Sequence, residues 1–353
     1  MRPLPCRHSA WSRFCNLPDM ASGRPRSALA TAVLVLWIAA TAACRGPAAD
    51  PAALPEVLEV NAIEQLPAGT LTLPNRDGSV KFAVIGDSGR GTPEQHAVGA
   101  QMASFRQQFD FRFVLMAGDN IYEGPATPAD YEAKFEAPYK ALLDAGVQFF
   151  AVLGNHDDPR QVDYPPFHMR GRRYYTFTPP VPVLTRLRTR VRFFALDSNN
   201  LDSSQMDWLD RELARSTADW NVALMHYPMY SAGRYGLQAR RQRFSLESRF
   251  ISGGIDVAFS GHEHFYQRST VQNGILYFVT GGAGSLRPGD AQPSAEVARS
   301  FDRDYSFMLV EISDAGIAFQ AIDRGGRTVD AGSLRRLEPR PRSEPTTDTA
   351  APQ

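Results

Sequence analysis

Five times along this chain an apolar run stops abruptly at a carboxylate, an amide or an imidazole. VKFAVI (80–85) ends in Gly86-Asp87-Ser88-Gly89, FRFVLMA (111–117) in Gly118-Asp119-Asn120-Ile121-Tyr122, and VQFFAVL (147–153) in Gly154-Asn155-His156-Asp157. VALM (222–225) ends in His226-Tyr227-Pro228, and VAFS (257–260) in Gly261-His262-Glu263-His264. Short apolar runs of this kind read as buried strands. An Asp or His left unpaired at the end of a buried strand is costly. In four of the five, a glycine stands immediately before the first polar residue, which lets the backbone turn sharply and a ligand come close. One such ending is an ordinary satisfied polar group. Five at the same end of successive strands are not explained that way, so the chain needs a fold whose strand ends converge.

The remaining pattern supplies such a fold. Strands are expected at 80–86, 111–117, 147–153, 174–177, 191–196, 222–225, 255–259, 275–280 and 306–312. Helices are expected at 92–109, 128–143, 203–216 and near 240–251. The first helix has Thr92 as N-cap, Pro93 at its first position and Glu94 in its first turn. Alternating strands and helices imply an α/β chain with sheets covered by helices around a single core of about 260 residues. Ligands in such folds sit beyond the carboxyl ends of the strands.

Composition narrows the chemistry. The formal net charge is zero, so no nucleic-acid partner is expected, since such partners select a basic face. The cysteines are Cys6, Cys15 and Cys44, and none follows Arg45. The main domain therefore has no disulfide, zinc–thiolate site or cysteine nucleophile. Carboxylates, imidazoles and an amide suit hard or borderline divalent and trivalent ions. A carboxylate such as Asp119 can bridge two of them, and two cations about 3.5–4 Å apart can activate water and stabilise both oxygens of a phosphoryl transfer.

The order GDSG, GDNIY, GNHD, HYP, GHEH, spanning Asp87 to His264, resembles the calcineurin-like metallophosphoesterases and more closely the purple acid phosphatases of tartrate-resistant type. Many metallophosphoesterases begin Asp-x-His, and that His binds the first metal. Here Gly89 takes its place. Tyr122, three residues after Asp119, occupies the position of the tyrosinate found in purple acid phosphatases, where it favours ferric iron and gives the colour. The resemblance implies a four-layer αββα sandwich, with two mixed β-sheets flanked by helices. It implies Fe(III) held by Asp87, Asp119, Tyr122 and His264, and Fe(II), Zn(II) or Mn(II) held by Asp119, Asn155, His226 and His262. His156 matches the catalytic imidazole, which contacts phosphate and protonates the leaving alkoxide. The implied activity is hydrolysis of small phosphomonoesters by a metal-bound hydroxide attacking in line, without a covalent intermediate. A phosphodiesterase or nucleotide hydrolase of the same fold, and a non-catalytic surface-anchored binding lipoprotein, are the alternatives. Oligomeric state is not given by these residues.

Other polar residues have plainer readings. Asp157 either orients His156 or caps a turn. Asp197 and Asn199 read as turn and cap residues, and His96 and His168 as surface residues. Arg234, Arg240, Arg241 and Arg243 read as a solvated helix face, or as contacts for an anionic substrate. Gly281–Gly284 shapes the site rim or forms a turn. GDSG also occurs around the nucleophile of chymotrypsin-like proteases, but only His8 precedes Ser88, so that triad has no histidine.

The N-terminus reads as an address. Ala28–Ala43 is apolar, follows Arg24 and Arg26, and is shorter than the roughly 20 residues of a membrane span. A basic start, a short apolar core and small residues at its end describe a secretory signal over 1–43, with Met20 as a start of conventional length. Thr41-Ala42-Ala43-Cys44 resembles a bacterial lipobox, which implies a lipidated Cys44; plain secretion and an uncleaved anchor are the alternatives. The expected location is the bacterial periplasm or cell surface, with membrane contact only through Cys44 or the signal. A flexible tether over 44–77, a catalytic domain over 78–335 and a disordered tail over 336–353 complete the expected plan.

Overall fold

The computed structural model describes residues 55–180 and 189–335. The expected leader, Cys44 and the 336–353 tail lie outside the described residues. The described strands are β1 (Glu56–Glu59), β2 (Val80–Ile85), β3 (Phe113–Met116), β4 (Gln148–Ala151), β5 (Tyr175–Phe177), β6 (Val191–Ala195) and β7 (Trp220–Leu224). They continue with β8 (Val257–Ser260), β9 (Tyr266–Ser269), β10 (Leu276–Thr280), β11 (Val297–Phe301), β12 (Ser306–Ser313), β13 (Gly316–Asp323) and β14 (Thr328–Arg335). The α-helices are α1 (Pro93–Arg106), α2 (Pro128–Tyr131), α3 (Lys140–Asp144), α4 (Ser203–Ala214) and α5 (Gly236–Ser252).

The strands form two mixed sheets, in the orders β1-β14-β13-β12-β2-β3-β4 and β11-β9-β10-β8-β7-β6-β5. In the first, β2, β3 and β4 are parallel, and β12 closes antiparallel on β2. In the second, β6, β7, β8 and β10 are parallel. The sheets pack through aromatic side chains. Phe82 of β2 meets Phe193 edge-on at 5.4 Å and Phe259 at 6.0 Å, and Phe278 meets Phe319 at 5.0 Å. Such contacts bury large apolar areas in the edge-to-face arrangement that aromatic rings prefer. On the outer side of the first sheet, α1 buries Val98, Met102 and Phe105, with the Phe105 ring 6.1 Å from Phe307. On the outer side of the second, Met206, Leu209 and Leu213 of α4 and Leu246 and Phe250 of α5 cluster with Phe194, Ala223 and Ala258. The result is a four-layer αββα sandwich.

The parallel strands share a direction, so their carboxyl ends present their loops along one edge of the sandwich. The helix expected over 128–143 is broken into α2, a π-turn at Glu132–Glu136, and α3. Pro138 explains the break, since it lacks the N–H a continuous helix needs and its ring clashes with the preceding turn. The segment expected to be a tether over 44–77 is structured from β1 onward, because Glu56–Glu59 pairs antiparallel with β14.

Candidate metal centre

All seven residues expected around the cations, and His156 beside them, come together at this edge. Asp87 follows β2, Asp119 and Tyr122 follow β3, and Asn155 follows β4. The second sheet brings His226 after β7, and His262 and His264 after β8. The backbone is bent hard to achieve this. Asp87, Asp119 and His262 adopt left-handed conformations, with φ of 53°, 52° and 70°. Residues with side chains rarely sit there, at roughly 1–3 kcal/mol each, and such strain gathers at functional sites. The glycines before them answer to space. A Cβ on Gly154 would lie 2.1 Å from Asp119 Oδ1, and one on Gly261 would lie 2.4 Å from Asp87 Oδ2. Gly89 is equally confined, because its Cβ would meet the Asn120 carbonyl oxygen at 1.9 Å. The missing histidine at this position has no room for any side chain.

Two groups of donors result. In the first, the Tyr122 hydroxyl donates to Asp87 Oδ1 at 3.1 Å and lies 3.2 Å from His264 Nε2, which is 3.3 Å from Asp87 Oδ1. In the second, Asn155 Oδ1 lies 3.0 Å from both His226 Nε2 and His262 Nδ1. Asp119 joins them: its Oδ1 is 3.4 Å from His226 Nε2, and it clusters with Asp87 and His264 with all ligand atoms within 4.8 Å of one another. Donor atoms about 2.0–2.2 Å from one cation lie roughly 3 Å apart at right angles, so both groups have the spacing of a coordination shell.

Two of the imidazoles have one ring nitrogen anchored outward and the other turned to the centre. His226 Nδ1 bonds the Ala117 carbonyl at 2.9 Å. A carbonyl only accepts, so Nδ1 carries a proton and Nε2 is the atom turned to Asn155 and Asp119. His262 Nε2 is held by Gln238 Oε1 at 3.0 Å, leaving Nδ1 for the centre. Burial, with His226 adding, pushes His262 down to about 3. Burial, with Arg287 and Arg90 adding, pushes His264 down to about 4. Burial raises Asp87 well above the carboxylate range. Burial acts the same way on Asp119, but His226 and the His156 N–H outweigh it and hold Asp119 low. Burial, Asp87 and Asp119 push the Tyr122 phenol far above its usual value.

Five of the seven side chains are almost wholly buried, at 0–4% exposure, and His262 is 8% exposed. Asn155 and His156 are exposed and form the mouth. The His156 N–H donates to Asp119 Oδ1 at 3.0 Å, and its ring lies 4.9 Å from the Tyr122 ring. Arg90 stacks on Tyr122 with its guanidinium carbon 3.8 Å from the ring centroid.

Asp157 takes neither role read from the sequence. Its carboxylate accepts from the N–H groups of Asn120, Ile121 and Gly154 at 2.8, 3.0 and 2.7 Å, stapling the second loop to the third. Asp197 accepts from Asn199 N at 3.1 Å, as a turn residue does, and Asn199 reaches across to the Leu153 and Gly154 carbonyls at 3.1 Å. His96 is exposed, whereas His168 is half-buried with Nδ1 2.8 Å from the Phe149 carbonyl. Gly281 borders the centre, because its Cβ would meet Asp87 Oδ2 at 2.7 Å. Two contributors escaped the sequence reading. Gln238 lies in the first turn of α5, and the Ser198 hydroxyl accepts from His226 N at 3.1 Å. A single polar residue in a helix leaves no pattern.

Known proteins resemble this chain in sequence and fold. Residues 80–266, more than half the chain, match the family model of calcineurin-like phosphoesterases. Purple acid phosphatase 17 of Arabidopsis thaliana is 27% identical over 276 residues, covering 69% of this chain and 81% of that protein. Mouse (Mus musculus) tartrate-resistant acid phosphatase type 5 is 23% identical over 326 residues, covering 80% of this chain and 97% of that protein. The structure of a purple acid phosphatase from yellow lupin (Lupinus luteus) seeds superposes with a TM-score of 0.56 at 18% identity, covering 79% of this chain and 58% of that one. The structure titled as GAP50, the anchor in the inner membrane complex of Plasmodium, superposes at 0.62 and 18% identity, covering 74% and 90%. The chain belongs to the calcineurin-like phosphoesterase family and is a metal-dependent phosphoester hydrolase.

Proposed function

We propose that the chain is an acid phosphatase of purple acid phosphatase type, hydrolysing small phosphomonoesters at a dinuclear centre. The observation that supports this reading is the pair of donor groups joined by Asp119. Asp87, Tyr122 and His264, with Asp119, would hold a trivalent iron. Asn155, His226 and His262, with Asp119, would hold Fe(II), Zn(II) or Mn(II). The donors fit: they are oxygen and imidazole nitrogen, with one ring nitrogen of His226 and one of His262 turned to the centre. A phenol pushed so far up becomes phenolate only against a strongly charged cation, which favours a trivalent ion. Two cations bound here supply Lewis acidity to the phosphoryl oxygens and a nucleophilic water at mild pH.

The chain's own residues do the rest. Asp119 orients His156 through its N–H, and His156, at the exposed mouth, meets the phosphate ester and delivers a proton to the leaving oxygen. His262 and His264, at about 3 and about 4, remain unprotonated donors in mildly acidic solution, so an acidic assay leaves them able to bind a cation.

Metal-loaded protein assayed on p-nitrophenyl phosphate and on its bis-ester tests the reading. Turnover of the monoester well above the diester is the expected result. Diester preference would point to a phosphodiesterase, and turnover of neither, with both cations bound, to a binding protein. We place the chain outside the cytoplasm, lipid-anchored at Cys44. Loss of membrane fractionation that resists high salt in Cys44→Ser tests that placement.

A further inference from the structure

Helix α5 turns an apolar line toward water. Leu237, Phe244 and Ile251 are 75%, 92% and 47% exposed, while Ala239, Gln242, Leu246 and Phe250 on its other side are buried. A spacing of seven residues is close to two helical turns, so the three side chains lie along one face. Single exposed apolar residues are ordinary, but an aligned set marks an interaction surface. Arg240 and Arg241 lie on the same face, also exposed. Arg234, Arg243 and Arg249 are paired with Asp290, Glu296 and Asp210 at 3.2, 2.9 and 3.0 Å. Among the described residues, Arg240 and Arg241 have no such partner. Beside Leu237 and Arg240 runs a groove of about 400 Å³, also lined by Tyr230, Arg243 and Pro293.

We propose that this face of α5 docks on an anionic lipid bilayer. Apolar side chains flanked by long unpaired cations are the chemistry of an interfacial helix: the apolar groups enter the acyl boundary, and the arginines reach the headgroup phosphates. The path of the chain favours a membrane over other occupants. Pro55, where the described domain begins, lies beside the turn at Gly274, since a methyl added there would be 3.8 Å from Pro55 Cδ. In that turn Asn273 Nδ2 donates to Glu247 Oε1 of α5 at 3.2 Å. Pro55, the first described residue, therefore lies next to α5. The stretch from Cys44 to Pro55 reaches at most about 35–40 Å, longer than the roughly 25 Å of α5. A lipid at Cys44 would thus hold this face within reach of the bilayer, and the docking itself needs no such lipid.

Replacement of Phe244 by Trp in the full chain, with Cys44→Ser to remove any acyl anchor, provides the test. The emission of the added tryptophan is read as a difference spectrum against the chain carrying Cys44→Ser alone. A blue shift on vesicles containing phosphatidylglycerol, absent on pure phosphatidylcholine and reversed by high salt, is expected. Adding Arg240→Glu and Arg241→Glu should weaken partition at least tenfold, since each cation near an anionic surface is worth about fivefold. No shift on anionic vesicles, or an equal shift on neutral ones, overturns the proposal. A shift that grows with protein concentration without vesicles overturns it in favour of a second copy of the chain.

Discussion

Tyr122 is held as a neutral phenol by the same carboxylates that would share a cation with it. Burial, Asp87 and Asp119 all oppose its ionisation, and burial likewise favours protonated Asp87. A trivalent cation must displace these protons. The sign follows: protons are bound in the free protein and lost in the loaded one, so affinity for the first cation rises with pH. His262 and His264, neutral down to about 3 and about 4, add no slope above that range. In Tyr122→Phe the slope of log affinity against pH should fall by about one proton, and the visible band of the oxidised, iron-loaded protein should vanish. Calorimetric titration at several pH values and an absorption spectrum check both; a colourless wild type would remove the ferric assignment and leave a two-cation site possible. His156 donates its backbone N–H to Asp119 and packs its ring on Tyr122, so its side chain holds neither cation. His156→Ala should keep both cations and slow turnover by about 10²–10⁴-fold, the usual worth of a general acid. Asn155→Ala should instead lose the second cation, because Asn155 Oδ1 is the atom that His226 and His262 both face. Metal analysis beside the rate separates these two outcomes.

Each element contributes to the centre through what happens just past its end, and that was the part legible in the sequence. Apolar runs ending in Asp, Asn or His gave β2, β3, β4, β7 and β8 and the loops after them. The polar strand β9 was not legible. Gln267, Arg268 and Ser269 are buried there because each finds a partner, which no apolar period records. Strands β13 and β14 hid similarly, with Gln320 and Asp330 buried in them. The break in the second expected helix was missed, although Pro138 stood inside the expected span. Gln238 belongs to a subtler class. It rides on α5 yet fixes the tautomer of His262, a positioning role two elements away. Partners of this kind typically govern 10–100-fold in metal affinity. Gln238→Leu should weaken the second cation by that factor and leave the first unchanged. Equal weakening of both would make the helix's contribution merely structural.

The centre is split between the two sheets of the molecule: carboxylates, phenol and amide come from one, imidazoles from the other. Its geometry therefore depends on how the sheets register. The aromatic interface resists separation but is tolerant of sliding, because apolar contact is not directional. Polar ties across the layers are directional. Trp220 Nε1 donates to the Ser313 carbonyl at 3.1 Å, and the Tyr175 hydroxyl to the Ala151 carbonyl at 2.7 Å. The strongest tie joins Arg268 of β9 to Asp330 of β14, at 2.7 Å with side chains 3% and 5% exposed, and Tyr266 donates to the same carboxylate at 2.7 Å. Arg268 also reaches Glu59 of β1 at 2.6 Å, but that carboxylate is 58% exposed. Burial makes the two bonds unequal. Arg268→Ala strands Asp330 without its cation and should destabilise the fold by about 3–5 kcal/mol, whereas Glu59→Ala removes only a solvated partner and should cost less than about 1 kcal/mol. Combining Arg268→Met with Asp330→Leu removes the stranded charge and should recover part of the loss, the remainder being the buried Tyr266 hydroxyl left without its acceptor. Urea unfolding of the three variants reads this directly, with midpoints shifting at unchanged slope. If the double variant were as stable as the parent yet bound its cations more weakly, the tie would be fixing the register of the two half-sites and adding little to the stability of the sandwich.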